Sequence, residues 1–260
     1  MIEKTQIVGV IGRDFCGSTL LLRLMSSVKG VEGAGELHWL LSIPHGGTVM
    51  TRAGWLISRK CVQCGVNCPV FTEEFLAQRI APSALYQAVA QKMNARVLVV
   101  SDKRPRHYSS MAKSGDIDGI VMFKMPESAV MSDIRRERRS VVQSVTGYVE
   151  LYKKIIEWAP RFCKRTLYLL YEDLAKKPVT MTKRVLENLG IDGEMAHGYS
   201  EIDHHHIGGN PDAHRKKKVV LDDKWKRGLS VEQKNYIKQH KSCQEIYHKL
   251  MQKRLMSEDG

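Results

Sequence analysis

The chain has 260 residues, of which 43% are hydrophobic and 27% are charged, and its formal charge is +13 at pH 7. A chain of this length and composition can bury a full core, which excludes global disorder and a scaffold held together by disulfides. No apolar run approaches the ~18–20 residues of a membrane span, and the run before Arg13 is too short for a signal peptide. With only six cysteines, the expected setting is a reducing cytoplasm.

Apolar runs typical of buried strands alternate with segments of helical periodicity along the chain. The strands are predicted at 6–11, 96–100, 119–123 and 166–170, and helices at 18–28, 180–189 and 231–255. Another helical region begins at Pro126 and keeps its apolar spacing until Pro160. Residues 200–220 have no periodicity and are predicted to form a long loop.

This alternation predicts an α/β fold with three layers, a mostly parallel sheet with helices on both faces. We expect a single domain over 1–260. Within it, 35–95 is expected to be a mainly helical, cysteine-containing insertion or subdomain.

The first predicted strand leads into a glycine-bounded loop, 12–19, that opens the first helix. The glycines permit tight turns, and the free amides at the start of the helix can point at an anion. Ser18 and Thr19 add hydroxyl groups. The spacing imitates the nucleotide-binding G-x-x-x-x-G-K-[ST], but Ser18 stands where the lysine would be. The loop therefore fits an anion shorter than a triphosphate, or serves only as a plain helix N-cap.

A second candidate anion site follows the strand 119–123. Lys124 lies at the strand end, and Ser132 lies eight residues later in the next helix, so the two can hold one phosphate. Arg136 and Ser144 have the same spacing, but they begin inside a charged helical run. An ordinary strand-to-helix connection is the remaining alternative.

These segments resemble the nucleotide motifs of sulfotransferases that use 3′-phosphoadenosine 5′-phosphosulfate (PAPS). Residues 15–21 are similar to R-S-G-S-T-L-L, although Phe15 replaces the usual basic residue and Arg13 is the candidate for its charge. Residues 124–132 resemble the basic-x-P-x-x-x-V-x-S motif for the 3′-phosphate, with Lys in place of Arg. Residues 171–174 match Y-E-D-L, and 206–211 with Arg215 resemble H-x-I/L-G-G-N-P…R, before the 222–226 stretch that is similar to D-x-x-W. The motifs occur in family order over most of the chain.

The resemblance implies the P-loop-like sulfotransferase architecture, with PAPS as co-substrate and 3′-phosphoadenosine 5′-phosphate (PAP) as product. It also implies a set of nucleotide-binding residues: Arg13, Phe15, Cys16, Gly17, Ser18, Thr19, Leu20, Lys124, Ser132, Tyr171, Gly208, Gly209, Asn210, Arg215 and Lys216.

Three residues are candidates for the chemistry of sulfuryl transfer, which needs a base for the acceptor proton and stabilisation of the leaving oxygen. Glu36 resembles the base in the G-E of the bacterial branch, and His38 is the alternative base. Lys103 lies in a segment similar to D-K-x-P-R and is the candidate contact to the sulfuryl group. Alternatively, the segment that contains Lys103 is a basic turn on the surface. His107 is expected to be structural.

Cys61, Cys64 and Cys68 have the spacing C-x2-C-x3-C, which suits either a zinc site or buried, redox-active thiols. The resemblance does not require a metal, and sulfuryl transfer needs none. The candidates for a fourth ligand are His38 and His45, and the run 204–206 of three histidines is a weaker metal candidate.

The predicted activity is therefore transfer of a sulfuryl group to a hydroxyl or amine of a small molecule, such as a secondary metabolite or toxin. The aromatic residues Trp39, Trp55, Phe71, Phe75 and Tyr86 line the acceptor pocket or pack a helical subdomain. A Mg2+-dependent kinase with a variant phosphate loop is the alternative, since residues 97–102 imitate a strand that ends in a metal-binding Asp. Basic clusters also allow a nucleic-acid-binding protein, but no recognition motif accompanies them, and no nucleic-acid partner is predicted. The oligomeric state stays open.

Overall fold

The computed structural model describes residues 5–111, 115–195, 204–210 and 218–256. Its strands are β1 (Gln6–Gly12), β2 (Val31–Gly35), β3 (Thr48–Met50), β4 (Leu56–Ser58), β5 (Val97–Lys103), β6 (Ile117–Phe123) and β7 (Cys163–Leu170). Five of them form one sheet in the order β2-β5-β1-β6-β7, in which every neighbouring pair is parallel. The carboxyl ends of these five strands therefore meet at one edge.

Twelve α-helices lie within the described ranges. They are α1 (Ser18–Met25), α2 (Trp39–Ser42), α3 (Glu73–Ala77), α4 (Leu85–Lys92), α5 (Pro105–Met111), α6 (Pro126–Glu137), α7 (Val141–Phe162), α8 (Tyr171–Lys176), α9 (Pro178–Asn188), α10 (Trp225–Gly228), α11 (Val231–Gln239) and α12 (Lys241–Gln252).

Alternate residues of the central strands point to opposite faces of the sheet. In β1, Ile7 and Ile11 lie in one apolar core, whereas Val8 and Val10 lie in the other. Helices α4 to α7, α11 and α12 cover the first face, and α1, α8 and α9 cover the second. Because both faces are buried, the strands are almost continuously apolar. The predicted three-layer α/β fold with a parallel sheet is confirmed.

The helical region that begins at Pro126 is two helices. Arg138 ends α6 in the left-handed conformation, with φ 54°. Ser140 then starts α7 through a capping box with Gln143, in which each side chain bonds to the other residue's backbone N–H. Helix α7 continues through Pro160, where the sequence predicts an end, because a proline removes only one intrahelical hydrogen bond.

The helix predicted at 231–255 is also divided. His240 separates α11 from α12, and its Nδ1 accepts a hydrogen bond of 3.3 Å from the backbone N–H of Cys243. A capping side chain inside an apolar repeat thus sets the boundary, and periodicity alone does not reveal it.

Strand β5 runs to Lys103, three residues beyond its predicted end. Its register with β1 shifts between Gly9 and Ile11. The Tyr108 hydroxyl lies in the resulting gap, 2.9 Å from the carbonyl oxygen of Val10, and it accepts a 3.0 Å hydrogen bond from the backbone N–H of Asp102. The pairing of β1 with β5 resumes beyond this irregularity, at Ile11 and Lys103.

The segment 35–95 contains the short helices α2, α3 and α4, a 3-10 turn at Pro82–Ala84 and the antiparallel ribbon of β3 and β4. In the described ranges, no helix combines the length and the apolar character needed to cross a lipid bilayer.

Candidate active site

A cavity of about 940 Å³ opens at the carboxyl edge of the sheet. The residues that follow β1, β2, β5, β6 and β7 all contribute to its walls, as expected for ligand sites in open parallel sheets. Ten Lys or Arg residues line it against five Asp or Glu. The lining therefore carries an excess of positive charge.

The loop between β1 and α1 forms one end of this cavity. Phe15 (φ 62°) and Gly17 (φ 99°) are left-handed, and a Cβ on Gly17 would lie 2.6 Å from the Tyr171 ring. These turns bring the first residues of α1, Ser18 and Thr19, to the cavity wall with Leu20. No side chain caps α1, so its first amides are available to an anion.

Two residues predicted to bind the nucleotide point elsewhere. Arg13 does not line the cavity, because its guanidinium donates to the carbonyl oxygen of Ser144 (2.8 Å) and pairs with Asp133. The Cys16 side chain lies in the apolar core, where burial raises the pKa of its thiol. The missing loop charge is therefore not supplied by Arg13, and Cys16 offers no side chain to a ligand.

Lys124 and Ser132, the predicted second anion site, lie together at the end of β6. Lys124 Nζ lies 3.3 Å from Ser132 Oγ and 4.3 Å from the centre of the Tyr171 ring, and both residues line the cavity. Burial lowers the pKa of Lys124, although the carboxylate of Glu172 opposes this. Within the described part of the chain, Lys124 has no salt bridge. Burial thus disfavours the charged form of Lys124, which a bound anion would stabilise.

The competing pair of Arg136 and Ser144 is not brought together at the cavity. Ser144 is fully buried beneath Arg13 and does not line the wall. Arg136 does line it, and its guanidinium lies 5.4 Å from the centre of the Trp55 ring and 5.8 Å from that of Phe15. The two rings meet edge to face at 5.6 Å and form an aromatic wall.

Glu36 and Lys103 form an ion pair between the ends of β2 and β5. Lys103 Nζ contacts Glu36 Oε1 and lies 3.8 Å from Asp14 Oδ1. The second oxygen of Glu36 accepts a 2.9 Å hydrogen bond from Trp39 Nε1. Burial opposes the charge of Lys103, but these carboxylates raise its pKa above the ordinary value. Lys103 is therefore held as a cation at the end of β5, the strand next to β1.

His38 is oriented by Asp102, a residue to which the sequence assigns only the role of a metal ligand. Asp102 Oδ1 accepts from the backbone N–H of His38 and lies 2.9 Å from His38 Nδ1, while Oδ2 accepts from Tyr86 at 2.8 Å. The imidazole stacks on His107 at a ring distance of 4.0 Å. With Nδ1 held by a buried carboxylate, His38 presents Nε2 as a proton acceptor. The signal available in the sequence was the Asp at the end of a buried strand.

Some of the remaining residues predicted to bind the nucleotide line the cavity, and others do not or lie outside the described residues. Tyr171 lines the cavity, and its hydroxyl accepts from the backbone N–H of Asp222 at 3.2 Å. Gly209 and Asn210 line the wall, and Gly208 packs against Trp39, where a Cβ would lie 3.0 Å from the indole. Arg215 and Lys216 lie outside the described residues.

The cysteine cluster lies apart from this cavity. Cys61, Cys64 and Cys68 converge on His205, and neither proposed fourth ligand is near them. His38 is held by Asp102, and His45 Nε2 pairs with Glu73 at 2.9 Å. Both expectations for the fourth ligand are therefore wrong.

The β3–β4 ribbon forms one side of the cavity. Trp55 and Trp39 line the cavity, whereas Phe71, Phe75 and Tyr86 are buried in the core. Met50, at the tip of β3, is 66% exposed and also lines the wall. The ribbon thus offers apolar and aromatic surface beside the cationic floor.

No protein-family model matches the chain, and no curated protein matches it in sequence. Among solved structures, a sulfotransferase domain from the curacin biosynthetic pathway superposes with a TM-score of 0.58 at 18% identity, covering 92% of this chain and 99% of that domain. A sulfotransferase domain from the olefin synthase of Synechococcus PCC 7002 superposes with a TM-score of 0.48 at 16% identity, covering 89% and 91% of the two chains. The likeness to the curacin-pathway domain shows that this chain has the fold of a sulfotransferase domain.

Proposed function

We propose that the protein transfers a sulfuryl group from PAPS to a hydroxyl or amine of a small molecule and releases PAP. The observation that carries this proposal is the presence of two anion sites at the ends of adjacent strands within one cavity. The β1–α1 loop offers amides and hydroxyls, and Lys124 with Ser132 offers a buried cation and a hydroxyl. A nucleotide with phosphates at both its 5′ and 3′ positions supplies one anion to each.

In this assignment the nucleotide lies between the two sites. The start of α1 binds the 5′ end, and Lys124 with Ser132 binds the 3′-phosphate. The left-handed turn at Gly17 and the ring of Tyr171 bring the two sites together. Ser18 in place of a lysine suits this ligand better than a triphosphate, because a P-loop lysine contacts the β- and γ-phosphates.

We assign Lys103 to charge stabilisation and His38 to proton transfer. The acceptor oxygen or nitrogen forms a bond to sulfur while the bond from sulfur to the bridging oxygen breaks. Lys103 stabilises the negative charge that develops on that oxygen. His38 Nε2 takes the acceptor proton, and Asp102 stabilises the resulting imidazolium. Both oxygens of Glu36 are already engaged by Lys103 and Trp39, which favours a positioning role for Glu36 over the role of base.

The kinase alternative is less well supported. Both carboxylate oxygens of Asp102 are hydrogen-bonded to His38 and Tyr86, so neither is presented freely to a metal ion. The test is turnover: the protein should release PAP from PAPS with phenolic or alcoholic acceptors and should not consume ATP in the presence of Mg2+.

The binding test is calorimetry with PAP. Replacing Lys124 by Ala, or Ser132 by Ala, should weaken binding about 10- to 100-fold, since a hydrogen bond to a charged group contributes about 1.5–3 kcal/mol. Lys164→Ala, an exposed lysine in β7, is the matched control and should leave the affinity unchanged. Unchanged affinity in both cavity variants would remove the 3′-phosphate assignment.

A further inference from the structure

Four potential metal ligands from two distant parts of the chain converge beside the candidate active site. The Sγ atoms of Cys61, Cys64 and Cys68 and a ring nitrogen of His205 all lie within 4.8 Å of one another. Cys61 and Cys68 are buried, and the other two residues are partly buried. Such a closed set of four protein ligands is typical of structural zinc sites, which keep no position open for a substrate.

The spacing of the ligand atoms agrees with tetrahedral coordination. Bonds of ~2.3 Å to sulfur and ~2.0–2.1 Å to nitrogen place S and N about 3.6 Å apart around a tetrahedral ion. His205 Nδ1 lies 3.4 Å from Cys64 Sγ and 3.5 Å from Cys68 Sγ. The side chains are therefore already arranged around a point that one ion can occupy.

Backbone amides around the cysteines point at two of the three sulfur atoms. The N–H of Gly65 bonds to the carbonyl oxygen of Cys61 at 3.0 Å, which closes a tight turn with Gly65 at φ 61°. Within this turn, the N–H of Cys64 points at Cys61 Sγ (3.5 Å), and farther along the N–H of Phe71 points at Cys68 Sγ (3.3 Å). Amide donors aimed at sulfur stabilise negative charge there. Three thiolates this close repel one another unless a cation lies between them.

Among the three consecutive histidines, only His205 faces the cysteines. The rings of His204 and His206 lie 5.1 Å apart, and neither belongs to the group of possible ligands. His204 Nε2 accepts from Arg23 at 2.9 Å, and the His206 ring packs beside Gly33. The run of three is therefore not a metal cluster in itself, and one member completes a set begun by the cysteines.

We propose that Cys61, Cys64, Cys68 and His205 bind one zinc ion, which fastens the segment 204–210 to the cysteine loop. The segment is also bonded to the end of β2. Ile207 donates to the carbonyl oxygen of Ala34 (3.0 Å) and accepts from the N–H of Glu36 (2.7 Å). The ion thus holds the chain that carries Gly209 and Asn210 to the cavity wall and supports the backbone of Glu36. Its role is structural, at a distance from the reacting groups.

The test is the metal content of the full chain, purified without a metal-affinity step. The wild-type protein should contain one zinc per chain by mass spectrometry. Cys64→Ser and His205→Ala should lose most of it, and His205→Cys should retain it, because a fourth thiolate replaces the imidazole. Cys243→Ser, which removes a buried cysteine outside the cluster, should keep the full amount. Cobalt substitution should give the visible absorption of tetrahedral Co2+ bound by thiolates.

Hydrogen exchange of the backbone amides provides a second test. Removing the metal with a chelator should increase amide hydrogen exchange at 61–68 and 204–210, with little change in α9. Wild-type protein that is purified free of zinc and does not bind added Zn2+ or Co2+ would overturn the proposal, and so would a disulfide between two of the cysteines. Metal content is measured without PAP, so a failure here and a failure of the proposed reaction are distinguishable.

Discussion

Lys124 and Lys103 are two buried lysines of one cavity whose surroundings act in opposite directions. Lys103 lies against Glu36 and Asp14, which keep it charged despite burial. Lys124 has a lowered pKa, because burial removes water from its ammonium group and Glu172 compensates only in part. A bound phosphate would favour the charged form of Lys124. Lys124 is therefore suited to bind a ligand that comes and goes, and Lys103 to act as a permanent part of the site.

The residue-scale prediction separates the two candidate bases. His38→Asn keeps a donor towards Asp102 but removes the basic Nε2, and it should lower kcat about 10²–10⁴-fold. PAP affinity should stay within about twofold, because the phosphate sites are unchanged. Turnover with PAPS and calorimetry with PAP provide the two readouts.

Glu36→Gln is the comparison for this prediction. It preserves the shape of the side chain while removing the charge opposite Lys103, so we expect a smaller loss of turnover than in His38→Asn. If Glu36→Gln abolishes turnover and His38→Asn retains it, the base is Glu36.

At the scale of elements, the site depends on the shift in register between β1 and β5. The backbone groups of Val10, Val100 and Asp102 at this point lie 2.9–3.1 Å from a single hydroxyl, that of Tyr108. Buried backbone groups need hydrogen-bond partners, and the Tyr108 hydroxyl lies within hydrogen-bond distance of these groups where the register shifts. Helix α5 therefore fixes the carboxyl end of β5, where Asp102 and Lys103 lie.

We expect Tyr108→Phe to lower the free energy of unfolding by about 1–3 kcal/mol, the cost of leaving buried backbone groups unsatisfied. Tyr152→Phe is the matched control, since that buried hydroxyl lies 2.8 Å from a single carbonyl oxygen, that of Met122. Its cost should be about 0.5–1.5 kcal/mol. Urea denaturation measures both values.

The turnover of the Tyr108→Phe and Tyr152→Phe variants can be compared in the same way. The Tyr108 hydroxyl binds the backbone N–H of Asp102, and Asp102 in turn orients His38. Tyr108→Phe should therefore reduce kcat more than Tyr152→Phe does. Equal effects of the two variants on both stability and turnover would contradict the role given to Tyr108.

At the scale of the whole molecule, part of the net charge of +13 lies around the cavity, where basic residues outnumber acidic ones. Basic residues that are scattered along the sequence, such as Arg52, Arg104, Arg135 and Lys224, line one cavity. A cleft with an excess of one sign of charge attracts ligands of the opposite sign. The basic clusters are therefore better explained by a small polyanion than by a nucleic acid.

The whole-molecule prediction concerns ionic strength. The association rate of PAP should fall as NaCl is raised from about 0.01 M to about 1 M, because the Debye length shrinks from about 30 Å to about 3 Å over that range. Binding of adenosine, which lacks both phosphates, should hardly change. Stopped-flow fluorescence of Trp55 and Trp39 can follow the association.

Binding of single-stranded DNA tests the alternative, a nucleic-acid-binding function. Any binding of DNA to this surface should be displaced by PAP. DNA binding that is salt-sensitive but unaffected by saturating PAP would favour a nucleic-acid-binding function.

The sequence alone indicated the layer architecture and four of the five strands of the main sheet, but not β2. The two phosphate sites stay predictions. Buried parallel strands are continuous apolar runs, and helix termini and strand ends are local features, so both leave signals over about ten residues. Segments such as 6–12 and 117–123 therefore could be predicted closely. Helix boundaries at Arg138 and His240 could not, because one local cap overrides a periodic pattern that continues past it.

Only the tertiary structure decided which distant side chains meet. The carboxylate of Asp102 holds His38 from 64 positions away, and His205 lies 137 positions from Cys68. Arg13 is drawn away from the cavity by Asp133, which the loop sequence does not indicate. These pairings depend on the order of strands in the sheet and on the path of loops over its edge. The physical reason is that ion pairs and metal-ligand sets depend on distances in three dimensions. The spacing of residues along the chain predicts them only when both partners lie in the same turn.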